Sequence, residues 1–98
     1  MIYVEPVFAI VAVYSGDALE YGVYEFFASE KEARSRFGHM CNLSEYEGHT
    51  LFLFESFVQE SEWNQVEFGY WLEDYLDMRF DDVFDTNNPI EVFEVGWF

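Results

Sequence analysis

Eight consecutive residues, Val7-Phe8-Ala9-Ile10-Val11-Ala12-Val13-Tyr14, contain no charged side chain. The run is too short to span a bilayer, which takes about 18 apolar residues or more. Pro6 precedes it and Ser15-Gly16-Asp17 follows it, and Val and Ile fill half of it. That composition favours a strand. Successive strand side chains point to opposite faces, so a run without alternation places apolar groups on both faces. Such a strand is usually buried on both.

The rest of the chain supplies its neighbours. Residues 19–27 alternate more, with Tyr21, Val23 and Glu25 set against Gly22, Tyr24 and Phe26. The short Ser-Gly-Asp-Ala connection makes a hairpin the natural pairing. Ser29-Glu30-Lys31-Glu32 is a capping box, in which the Ser29 hydroxyl accepts from the Glu32 amide. The helix it opens carries Ala33, Phe37 and Met40 or Cys41 along one stripe. Ser44 to Gly48 reads as a turn, and residues 50–58 as a third strand. Between residues 62 and 80 two periods compete. Val66, Phe68 and Tyr70 alternate, yet Phe68, Leu72, Tyr75, Leu76 and Phe80 follow a helical stripe. We read a helix over residues 68–79. Thr86-Asn87-Asn88-Pro89 is a turn, and residues 90–95 form the last strand. The expected fold is α+β: one domain, residues 1–98, with a mostly antiparallel sheet in β-β-α-β-α-β order and two helices on one face.

The charge is unusual for so apolar a chain. Four bases against twenty acids give 4 − 20 = −16, while 51% of the residues are hydrophobic and 22% aromatic. Core material on that scale excludes intrinsic disorder as the main state. The charge is also uneven. Residues 1–44 hold six acids and three bases, and residues 45–98 hold fourteen acids and one base, Arg79. A phosphate-binding surface needs clustered Lys and Arg, so direct nucleic-acid binding is not expected. An anionic membrane would repel the chain as well. Cys41 is the one cysteine, which excludes an internal disulfide and fits a reducing cytosol. The N-terminus lacks the basic region of a signal peptide. The expected location is cytoplasmic.

Two sets of residues are candidates for chemistry. His39, Cys41 and His49 are the cluster that would hold a transition metal or form a Cys–His pair. Their spacing is not that of a zinc site, and acidic surroundings raise a thiol's pKa rather than lower it. Asp77, Asp81, Asp82 and Asp85 offer oxygen ligands to a hard cation, but not at EF-hand spacing, because Phe84 stands where the glycine is required. Phosphate-cradling glycine motifs and a GxSxG elbow are absent from the sequence. Neither catalysis nor a cofactor is therefore expected.

What remains is the acidic surface. On the second helix Glu67, Asp74, Asp77 and Asp81 fall near one stripe, Glu73 flanks it, and Asp82 and Asp85 extend it into the turn. At about 1.5 Å per residue the charges recur every 5 to 10 Å or so, a coarse imitation of a phosphate backbone. An ordinary solvated face mixes signs, and self-repulsion of this size opposes compactness. Halophilic solubility would also explain acidity, but not the aromatic surplus. Trp63, Tyr70 and Trp71 beside the carboxylates read as interface anchors ringed by steering charge.

In size, charge, aromatic content and the order of hairpin, capped helix and acidic half, the chain resembles the small acidic inhibitors of phages and mobile elements. These are the anti-restriction and anti-CRISPR proteins, several of which mimic nucleic acid. The resemblance implies a non-catalytic inhibitor seated on the basic nucleic-acid-binding surface of a nuclease, restriction complex or CRISPR effector, in the host cytoplasm. Glu67, Glu73, Asp74, Asp77, Asp81, Asp82, Asp85, Trp63, Tyr70 and Trp71 are the expected contacts. Acidic immunity proteins that neutralise a cognate nuclease toxin share the profile and are the alternative. A small metal-binding or Cys/His enzyme is the third reading, and a homodimer is compatible with all of them.

Overall fold

The computed structural model describes residues 4–59 and 76–97, without the side chains of Val4, Glu5 and Gln59. Four strands form one sheet in the order β2-β1-β3-β4: β1 (Val4–Tyr14), β2 (Val23–Phe27), β3 (His49–Gln59) and β4 (Glu91–Glu94). Every pairing is antiparallel. The class is α+β, as the sequence indicated. The apolar run does lie in the middle, with Ala9 opposite Phe26 on one side and Phe54 on the other. Helix α1 (Glu30–Met40) crosses the sheet, and a short helix α2 (Phe80–Val83) follows a helical stretch over residues 76–78.

The two helical elements lie on opposite faces, which corrects the expectation of one shared face. Phe8, Ile10 and Ala12 of β1 meet Ala33, Phe37 and Met40 of α1, with Leu51, Leu53 and Val95. Val7, Ala9, Val11 and Val13 meet Leu76, Phe80 and Phe84, with Phe54 and Val58. The cause is β1 itself. Residues 7–13 are all buried, and a helix on one face alone would leave Val7, Ala9, Val11 and Val13 in water. At about 1.5 to 3 kcal/mol per large apolar side chain, the second face has to be covered.

Other boundaries also shift. Residues 19–27 are not one strand: Leu19–Tyr21 form a 3-10 turn before β2 begins. Gly22 joins them, where a Cβ would come within 2.7 Å of the Val11 side chain. Ser44–Tyr46 make a second 3-10 turn. Most of the helix expected over residues 68–79 lies outside the described residues, and the helical part that is described runs on to Val83. No helix among the described residues is long and apolar enough to cross a membrane.

Candidate functional site

Helix α1 is built as a clamp on its face of the sheet. Ser29 caps it by accepting from the Glu32 amide at 3.3 Å, and the Asn42 amide closes its far end on the Gly38 carbonyl at 3.0 Å. Arg34 and Arg36 then reach outward in opposite directions. Arg36 pairs with Glu25 of β2 at 3.2 Å, and Arg34 with Glu91 of β4 at 3.5 Å and with Glu30 at 3.3 Å. Glu25 and Glu91 lie opposite Ile10 and Leu53, on the face that α1 covers. Two of the four bases are thereby used inside the fold. The hydrogen bond to Glu25 keeps the Arg36 guanidinium pKa above its ordinary value.

The other face is aromatic. Phe80 meets Tyr24 edge-on at 4.9 Å, Phe54 edge-on at 5.7 Å and Phe84 at 5.0 Å. Leu76 and Phe80 are buried, whereas Asp77 and Asp81 each follow one of them in sequence. Both are exposed. Their negative charge reaches the Tyr24 phenol, whose pKa is raised by burial first, then by Asp81, Asp77 and Glu20. Glu20 belongs to the first 3-10 turn and is exposed as well. The three acids therefore lie within electrostatic reach of Tyr24, whose hydroxyl donates to the Leu19 carbonyl at 2.7 Å.

Asp82 and Asp85 are also exposed. Asp85 has a local task. Its carboxylate accepts from the Asn88 side chain and the Asn87 amide, which lowers its pKa and folds the turn into β4. Of the expected contacts, Asp77, Asp81, Asp82 and Asp85 are thus on the surface of one segment. Trp63, Glu67, Tyr70, Trp71, Glu73 and Asp74 lie outside the described residues. Glu20 is not among the expected contacts, because its action on Tyr24 alongside Asp77 and Asp81 depends on how the two segments pack.

The candidate metal and nucleophile residues remain separate. His39 is exposed on α1. His49 sits between Tyr14 and Tyr46, edge-on to both at 5.2 and 5.8 Å, with Nδ1 at 3.1 Å from the Glu47 carbonyl. Cys41 ends α1, and its thiol pKa is raised by burial first and by Glu91 second, which disfavours the nucleophilic thiolate. No three His, Cys, Asp or Glu among the described residues are arranged to hold a metal.

Two further features went unread in the sequence. Trp97 lies exposed over Gly48, whose φ is +73°, and a Cβ there would come within 2.6 Å of the indole. On the α2 face, an open hollow of about 340 Å³ lies where β1 runs into the Ser15-Gly16-Asp17 turn. No protein family, no curated protein and no solved structure matches this chain.

Proposed function

We propose that the protein is a non-catalytic acidic inhibitor that occupies the basic, nucleic-acid-binding surface of a nuclease, restriction complex or CRISPR effector in the cytoplasm. The observation that carries the reading is the unequal use of charge. Arg34 and Arg36 are spent on ion pairs within the fold, while Asp77, Asp81, Asp82, Asp85 and Glu20 stay at the surface on the other side. Although Lys31 and Arg79 are exposed too, the protein then presents a predominantly negative field, which steers a basic partner and substitutes carboxylates for phosphates against its Lys and Arg. Retaining such a patch opposes stability through self-repulsion, and an oppositely charged partner offsets that cost.

The test uses the tagged full chain as bait in a nuclease-treated host lysate. The reading expects a nucleic-acid-binding protein that is displaced by duplex DNA or RNA and by raised salt, since exposed charge is screened over a Debye length of about 8 Å at physiological ionic strength. The Asp77→Lys, Asp81→Lys, Asp82→Lys triple variant should lose it. A control with Glu32→Lys, Glu45→Lys and Glu55→Lys changes charge equally at other exposed positions and should retain most binding. A partner held by the first triple as by the wild type, or indifferent to nucleic acid, overturns the reading. A captured toxin encoded beside this gene would favour the immunity-protein alternative.

A further inference from the structure

The hollow beside the first turn has walls of two kinds. Val13, Leu19 and Phe52 supply apolar and aromatic surface, while Asp17 and Glu94 bring acids to it and Thr50 a hydroxyl. Thr50 lies opposite Val13 on one side and Glu94 on the other, so these three residues share a sheet face. The surrounding backbone is fixed: the Asp17 amide donates to Tyr14 at 2.9 Å, Ser15 to Gly48 at 2.9 Å and Val95 to His49 at 2.9 Å. At about 340 Å³ the hollow is at the small end of the range of ligand pockets, roughly 300 to 1,000 Å³, and has room for one long side chain. It also adjoins the first 3-10 turn. Leu19 lines the hollow, and its carbonyl accepts from the Tyr24 hydroxyl, on which the charges of Asp81, Asp77 and Glu20 act.

We propose that this hollow is the socket for an arginine side chain of the basic partner, which is then anchored by an inserted guanidinium as well as by diffuse charge. The inference rests on the inhibitor reading and deepens it. Arginine fits better than lysine for three reasons. Its guanidinium is flat and stacks on an aromatic ring such as Phe52; it is weakly hydrated and so enters an apolar hollow at lower cost; and it presents donors to more than one acceptor at once. Asp17 and Glu94 supply the opposite charge, and Val13 and Leu19 the contact for the aliphatic stem.

The test is a titration of the ¹⁵N-labelled full chain with N-acetyl-arginine amide, followed by amide chemical shifts. The expected result is a saturable shift at Ser15, Gly16, Thr50, Phe52 and Glu94, a weaker one with N-acetyl-lysine amide, and none with the neutral isostere N-acetyl-citrulline amide. Glu94→Gln should weaken the arginine titration by up to about fivefold, the upper range for one exposed ion pair. Phe52→Leu should remove the preference for arginine over lysine. Asp77→Asn with Asp81→Asn should leave the hollow's shifts in place. An equal response to citrulline, or arginine shifts confined to residues 77–85, overturns the socket. The lysate experiment is read separately. A silent hollow with salt-sensitive capture defeats the socket alone, and a responsive hollow without capture defeats the inhibitor reading.

Discussion

The two faces of the sheet are held down by different means. On the α1 face Phe8 and Phe37 pack among aliphatic side chains, around Ile10, Leu51, Leu53 and Met40, and the helix is tied across the sheet by Arg34 and Arg36. On the α2 face it is aromatic, with Phe54, Phe80 and Phe84 in mutual ring contact, and the acids of the covering segment turn outward. One face uses its bases to close on itself. The other closes on a stack of rings among valines and Leu76, with the Ser56 hydroxyl donating to the Val83 carbonyl, and leaves Asp77, Asp81 and Asp82 at the surface. The ion pairs that clamp the helix and the exposed aspartates at 77, 81 and 82 are thereby separated in space.

The largest expected effect tests the aromatic side. Phe54→Ala should cost about 3 to 5 kcal/mol, as buried Phe truncations do, measured by urea denaturation. Phe37→Ala on the α1 face should cost less. Phe54 loses ring contacts to Phe52, Phe80 and Phe84, each worth about 0.5 to 1.5 kcal/mol beyond area. No ring contact is recorded for Phe37 among the described residues. Equal costs would show that the two faces are not built differently.

Charge removal should then change stability in opposite directions on the two faces. Arg36→Met breaks a half-buried pair with Glu25 and should destabilise by up to about 1 kcal/mol, a range set by measured ion pairs. Asp77→Asn with Asp81→Asn relieves repulsion and should raise the denaturation midpoint slightly. The same variants should reverse order in partner binding, with Arg36→Met nearly silent and the aspartate pair weakened. A loss of stability in the aspartate pair would mean that those acids serve the fold.

How much of this was legible follows from the range of the interactions. The capping serine, the turn at Asn87-Asn88, the buried strand and the antiparallel class rest on neighbours in sequence or on period, and the sequence carries both. Ser29→Ala should accordingly cost about 1 kcal/mol, the usual value of a cap, seen as a lower thermal midpoint. The faces of the two helices were misjudged even though β1 held the answer. A strand apolar at every position from 7 to 13 demands cover on both sides, and that demand outweighs the simpler picture of one helical layer. The joint action of Glu20 and Asp77 on Tyr24, the Arg34–Glu91 pair and the hollow depend on contacts between distant segments. A single sequence does not carry those.

The smallest effect expected is also the most direct test of where the acidic segment lies. Burial and the charges of Asp81, Asp77 and Glu20 raise the Tyr24 pKa above its ordinary value of 10.0. A phenol ionises to an anion, so the folded protein holds this proton more tightly than the unfolded chain does. Stability from this group is fully present below about pH 10, where both states are protonated. It is lost as pH rises through the folded pKa, because the unfolded chain has already released its proton. Tyr24→Phe should therefore flatten part of the alkaline loss of stability. In the otherwise native protein, Asp77→Asn with Asp81→Asn should move the Tyr24 phenolate absorbance back towards lower pH, leaving the share due to burial. Glu55→Gln, an acid that does not act on Tyr24, should not move it. An unmoved Tyr24 titration in the aspartate variant would place Asp77 and Asp81 out of electrostatic reach of Tyr24.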